Sequence, residues 1–392
     1  MRSRGGLLAL AIVGVSVLLG TAGVSERRTY VPSWDFPTAE SVEEAIRGLG
    51  FREFVDEGYR STLLMFPQTV TARGLDGLLG VRNDRLNVYS EDHIEEVRRI
   101  GQVLAARLRE FDRDTLSRQD QITYDVCASY WGVSVEGAED VICGYPLHPY
   151  AGSPEQALID HLVYNHRLDC VEDVVDYLTR LHQVDDQLDQ IGDRFEEWIE
   201  AGGRMPRSLL LQISGGLSDL WTTPAVQHPL YEKLTEEIDA VPDLSQDARR
   251  ENLADAREVL EFDVLPAFQR LASTVSSFGA LMPAGSETLP VSCSSEAYTA
   301  VLQGRLGLSV DPTWLHQTAL EAADAAAARL IELRSEVGAQ PDASHVFVFY
   351  TDYYSSDGIG RSRTWRRMRA SLTTPCIDRR RSSSGYRRSR SK

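Results

Sequence analysis

Eight histidines are the residues of this chain best suited to metal or acid–base chemistry: His93, His148, His161, His166, His182, His228, His316 and His345. A helix-borne hydrolytic metal site needs two imidazoles four residues apart with a glutamate beside them. One helix face then aims both rings at the cation while the carboxylate activates water. No His-Glu dipeptide occurs, and no two histidines stand at i, i+4. His161 and His166 come nearest, but five residues of α-helix turn them about 140° apart. His316 and Glu321 share that defect. The spacings therefore predict no catalytic residue, no cofactor-binding residue and no metal ligand, and they leave the histidines to solvent or to a polar core.

Other chemistry-bearing patterns are missing as well. The sequence holds no G-x-S-x-G nucleophile elbow, no phosphate-binding P-loop and no G-x-G-x-x-G fingerprint. Asp185, Asp186 and Asp189 cluster on one predicted helix, where such carboxylates read as a solvated face rather than an acid/base pair. Five cysteines occur, and none forms a C-x-x-C pair. In an oxidising compartment Cys127, Cys143, Cys170 and Cys293 could pair, in a connectivity that spacing cannot give. The competing expectation is that they are small buried side chains.

Charge bounds the partners. The chain has 392 residues and a net charge of -17, yet residues 361–392 carry 12 Lys/Arg against Asp378 alone, which leaves -28 on the rest. So acidic a body disfavours nucleic acid or an anionic membrane as its partner. Residues 1–23 have the anatomy of an export signal or N-terminal anchor: Arg2 and Arg4, an apolar run from Leu7 to Leu19, then Gly20-Thr21-Ala22-Gly23. The expected location is periplasmic or extracellular, with residues 7–20 the candidate anchor to a membrane. No cysteine follows the run to take a lipid.

Helices must position whatever the chain carries. After a linker over residues 24–37, Thr38 caps a helix predicted for 38–65, and Ser90 opens another with Ile94, Val97, Leu104, Leu108 and Phe111 on one stripe. A third follows Ser117, and Ser153-Pro154-Glu155 is a helix start. The longest predicted helix runs from Val171 to about Ile199 and ends at Gly202-Gly203. Residues 244–277 should bend at Pro266, and Asp311-Pro312 opens an alanine-rich helix through Val337. Only His345–Tyr350 reads as a strand. The predicted fold is all-α, a multi-helix array over residues 38–340.

Residues 341–392 differ in kind, ending in an Arg/Ser-rich stretch that cannot bury enough apolar surface to order itself. It could be a basic arm for nucleic acid or membrane surface. The preferred expectation is an out-of-frame peptide, since an RNA-binding arm makes little sense on an exported acidic protein.

Several segments resemble the bacterial family labelled domain of unknown function 885, which is similar to helical zinc peptidases of the gluzincin type. The resembling residues are Phe66-Pro67, Thr71-Ala72-Arg73-Gly74, Tyr124-Asp125, Tyr145-Pro146 and the block Glu172-Asp173, Asp176 to Leu181, Gln187 and Asp189-Gln190. Gly203, Met205-Pro206, Val264 to Ala267, Tyr298 and Trp314-Leu315-His316 continue it. In this chain Gln303 to Leu308 departs from the Thr-rich stretch that the family has after Tyr298. The resemblance implies the N-terminal part of a metallopeptidase fold, with zinc and peptide hydrolysis belonging to complete members. Their metal signature, a His-Glu pair followed by Pro-Gly-His-His, lies beyond the matched residues, so the expectation is a truncated, zinc-free and inactive member. The alternative is a non-catalytic exported protein that binds peptides or a surface. Packing is expected to explain the matched residues, with Arg180 paired to a carboxylate.

Overall fold

Thr38 ends an extended stretch and accepts a hydrogen bond from the Ser41 amide at 3.2 Å, while the Ser41 hydroxyl answers the Thr38 amide at 2.9 Å. This reciprocal cap starts α1, Ala39–Ile46. The computed structural model describes residues 30–136, 146–149, 153–281, 298–299, 302–303 and 306–336. The strand expected at His345–Tyr350, the tail 341–392 and the export segment 1–23 lie outside them. The described residues are all-α.

The helix predicted for 38–65 is two helices. Arg47 turns extended and Gly48 takes φ +73°, a conformation glycine adopts without a Cβ penalty, so α1 stops and α2, Phe51–Leu64, begins. Short helices α3, Pro67–Ala72, and α4, Asp76–Leu79, follow. After a non-helical segment, Ser90 caps α5, Glu91–Leu108, and α6 spans Arg118–Glu136.

Helices α1, α2, α5 and α6 bury one core of Val42, Ile46, Phe51, Phe54, Ile100, Leu104, Leu108 and Trp131. The stripe predicted for α5 is correct at Leu104 and Leu108, whereas Ile94 is exposed. Full burial of each large apolar side chain stabilises by about 1.5–3 kcal/mol. Gly58 lets α2 approach this core, because a Cβ there would stand 2.9 Å from Leu104 and 3.0 Å from Trp131.

A second core lies among α8, Val171–Leu181; α9, Val184–Glu200; α10, Arg207–Thr222; α11, Pro229–Glu237; α12, Gln246–Val259; and α13, Leu265–Leu281. The long helix predicted from Val171 is broken at His182-Gln183, where the Gln183 amide tightens onto Arg180 O at 2.9 Å. Gly202, at φ +96°, ends α9 as predicted, and the Gly203 amide closes on Trp198 O at 2.8 Å. Phe195, Trp198 and Phe278 pack ring to ring.

The bend near Pro266 takes a particular form. A single π-turn, Leu260–Val264, separates α12 from α13, and the Leu265 amide bonds five residues back to Leu260 O. Proline has no amide to give and its ring clashes with the carbonyl four residues before it, so the wider turn relieves both. The alanine-rich helix is α14, Pro312–Glu336, capped by Asp311 Oδ1 at 2.7 Å from the Thr313 amide. Its side chains from His316 to Leu333 are exposed.

Candidate functional site: a buried polar cluster under a strap

Five side chains of α8 and α9, Asp176, Arg180, Gln183, Gln187 and Gln190, recur at steps of four, three, four and three. That spacing lines one helical face. Each of them reaches the backbone of residues 82–89, the strap between α4 and α5. Asp176 Oδ2 accepts the Asn83 amide at 3.1 Å, and Arg180 Nε donates to Arg85 O at 2.9 Å. Gln183 accepts the Leu86 amide at 3.2 Å and donates to Asp84 O at 2.8 Å. Gln187 donates to Asn87 O at 2.5 Å, and Gln190 accepts the Tyr89 amide at 2.7 Å. A segment without regular structure must find partners for its buried backbone groups elsewhere. Here the helix stripe supplies them.

Arg180 is the centre of the cluster and is fully buried. Besides Arg85 O, it donates through Nη1 to His166 Nδ1 at 2.9 Å and through Nη2 to Thr71 Oγ1 at 2.6 Å. Thr71 Oγ1 in turn donates to Asn83 Oδ1 at 2.7 Å. The carboxylate pairing expected for Arg180 is thus incorrect: its direct partners are neutral, and Asp176, Asp84 and Asp76 act on it only through their field. Burial lowers the Arg180 guanidinium to about 10, so it remains a cation at neutral pH. Asp176 meets Arg82 instead, at 2.8 Å from Nε. Burial still raises Asp176 to about 6, against the pull of Arg82 and with a push from Asp84.

His161 and His166 are both in this cluster, buried to within 3% and 2% exposure. The rotation expected between them fails, because His161–Asn165 is a π-turn in which the His166 amide bonds to His161 O at 2.9 Å. The two rings differ in their engagement: His161 Nε2 has no hydrogen-bond partner, whereas His166 is tied on both sides. His166 Nδ1 accepts from Arg180, so Nε2 carries the proton and donates to Asp173 O at 3.0 Å. Both nitrogens are engaged. Burial and the Arg180 charge hold both rings well below the usual imidazole range, hence neutral.

The remaining candidates lie apart. His316 and Glu321 sit exposed on α14, where Gln317 donates to Glu321 at 3.1 Å. Asp186 and Asp189 are exposed, as expected of a solvated face, and Asp189 pairs with Arg270 at 2.7 Å; Asp185 departs from that expectation, being half-buried and raised by burial and by Asp186 and Asp263 nearby. Ser153 does not cap its helix α7, Pro154–Asp160, with its side chain; the hydroxyl turns to Glu155 instead. Cys127 is a free thiol, raised by burial, and Cys170 is disulfide-bonded, so pairing holds for one cysteine of the four and fails for Cys127. Cys143 and Cys293 lie outside the described residues. Among the described residues no three His, Cys, Asp or Glu side chains are grouped to hold a metal ion, so the zinc that the resemblance implies has no fitting donor set there.

The cluster gathers Thr71, Asp173, Asp176, Arg180 and Gln187, all residues of the family-resembling segments. A family model for a bacterial protein of unknown function, DUF885, matches residues 67–373. The chain belongs to the DUF885 family. A solved structure, described as a putative lipoprotein from Colwellia psychrerythraea, aligns with this chain at a TM-score of 0.59 and 15% identity. That alignment covers 74% of this chain and 52% of the other, so this chain spans about half the length of the protein it matches. At that identity the likeness concerns the fold alone. No curated protein sequence matches. Among the described residues, no helix is long and apolar enough to cross a membrane.

Sequence reasoning missed the strap. Gln183, Gln187 and Gln190 follow Asp176 and Arg180 at helical steps, a polar stripe beside the apolar one, and that was the available signal.

Proposed function

We propose that this DUF885 chain is an exported, zinc-free and catalytically silent member of a peptidase-like family, in which the matched helices serve as scaffold. The observation that carries this reading is the engagement of Arg180 and the side chains bonded to it, even though His161 Nε2, Asp84 Oδ1 and Gln187 Oε1 nearby have no hydrogen-bond partner. Arg180, His166, Thr71 and Asn83 bond to one another and to the strap, so the most distinctive polar residues act in packing. Catalytic groups by contrast need a free atom within reach of a substrate.

Export is supported by the apolar run Leu7–Leu19, by the disulfide at Cys170, which suits an oxidising compartment, and by the solved neighbour's name as a lipoprotein. The deciding measurement is metal analysis of the purified chain together with cleavage of a mixed peptide library, with and without added zinc. The reading expects neither retained zinc nor turnover. Stoichiometric zinc that survives dialysis, accompanied by peptide cleavage, would overturn it.

A further inference from the structure

Residues 33–36 do more than lead into α1. The Ser33 amide donates to Asp84 Oδ2 at 2.6 Å, and Trp34 Nε1 donates to Arg82 O at 3.1 Å. Arg85 answers by donating to Trp34 O, and its Nη2 reaches Asp35 Oδ1 at 3.0 Å. The Arg85 guanidinium also lies over two rings, 5.4 Å from the centre of Trp34 and 4.8 Å from that of Phe36. Phe36 in turn meets Trp34 at 5.7 Å and His93 of α5 at 4.5 Å, both edge to face. The strap is therefore held on two sides. The stripe of α8 and α9 takes Asn83 N, Asp84 O, Arg85 O and Leu86 N, and residues 33–36 take Arg82 O and the Asp84 and Arg85 side chains.

The two grips differ in strength. The stripe belongs to helices packed into the second core, with Tyr177, Leu178 and Leu181 fully buried beside it. Residues 33–36 have no helix of their own, and Ser33 and Asp35 are exposed. A peripheral segment with few buried contacts opens locally at far lower free energy than a core helix. Arg85 connects the two grips, since its side chain is under Trp34 while its carbonyl accepts from Arg180.

We propose that Ser33–Phe36 form a latch on the strap, so that protection of the Arg180 cluster depends on the intact segment leading from the N-terminal apolar run. The latch sets a limit on N-terminal processing. Cleavage between Ala22 and Val31 leaves every latch contact in place, whereas cleavage beyond Trp34 removes the bonds to Asp84 and Arg82 and loosens the strap from its outer side.

The test is hydrogen exchange by mass spectrometry on the full chain at neutral pH, in two variants. Trp34→Ala removes the ring and the indole donor; Ser33→Pro removes the amide that donates to Asp84, and with it the hydroxyl and the freedom of the backbone at residues 32 and 33. Both should speed exchange across residues 83–89 by about tenfold or more, with α10 and α13 unchanged, as local rather than global opening requires. Val31→Ala, at an exposed neighbouring position, should leave the strap as it is. Unchanged strap exchange in both variants overturns the latch. So does acceleration spread equally over the whole chain, or an equal effect from Val31→Ala.

Discussion

The Arg180 guanidinium, buried to 1% exposure, donates to Nδ1 of His166, whose other nitrogen is fixed on Asp173 O. That single bond makes the ring an acceptor and the arginine a permanent donor, and it ties the π-turn to α8. Replacing Arg180 by methionine would strand acceptors on His166, Thr71 and Arg85 and take one positive field from Asp176, which keeps its bond to Arg82. Removing one member of a buried, hydrogen-bonded charged network costs about 3–5 kcal/mol. Urea unfolding should show that loss, and Arg180→Lys should recover little of it, because an ammonium cannot reproduce three donors in a planar fork. A midpoint within error of the parent protein would show that the cluster relaxes around the gap.

Acid should weaken the fold through its buried imidazoles. His161, His166 and His228 all lie below the usual range because burial disfavours the charged ring, His228 at about 4. A base whose folded pKa is depressed contributes stability above its unfolded value near 6.5, and that stability is lost as pH falls towards the folded value. Asp176, raised to about 6, has the opposite sign: its contribution is complete below the carboxylate range and is lost as pH rises through about 6. Three histidines outweigh one aspartate, so melting temperature should drop between pH 7 and pH 5. His228→Asn keeps a side chain able to cap α11, where His228 Nδ1 accepts the Leu230 amide at 3.3 Å. It should reduce the loss of stability at pH 5 by about 2 kcal/mol, seen as a smaller drop in melting temperature. A pH profile identical to the parent's would refute this.

Two glycines should respond with opposite signs to alanine. At Gly203 a Cβ would stand 2.3 Å from the Trp198 ring and 2.5 Å from its carbonyl oxygen, with no room to yield against a buried indole. The expected cost is about 3 kcal/mol, at the upper end for overpacking. Gly216, inside α10, would present its Cβ to open space, and alanine there should stabilise by roughly 0.5–1 kcal/mol through helix propensity. Thermal melts of the two variants, shifted in opposite directions, would confirm both assignments.

Helix positions were legible wherever local chemistry decides them. Thr38, Ser90 and Asp311 cap as polar residues before apolar periodicity should, and Gly202 ends α9. Breaks inside long periodic stretches were less legible. Gly48 does announce one, but His182-Gln183 carries no breaker, and the kink there follows from Gln183 reaching the strap at Asp84 and Leu86. The two π-turns were invisible as such; one answers to Pro266, and the other sits at His161, where no residue type marks it. Arg180 shows the same limit at the level of partners. Its acceptors come from Thr71, Arg85 and His166, far apart in sequence, and only tertiary packing brings them to one guanidinium.

The stripe that grips the strap also makes the chain intolerant of length changes in one place. Its five members keep a common direction across the α8–α9 break only because two residues, His182 and Gln183, separate the helices. One added residue at that junction would swing Gln187 and Gln190 by about 100° while leaving Asp176 and Arg180 where they are. Asn87 O would then lose Gln187 and the Tyr89 amide would lose Gln190. Of the two residues, Gln183 is fixed by its bonds to Asp84 and Leu86 as well, so the joint is constrained both in its length and at that position.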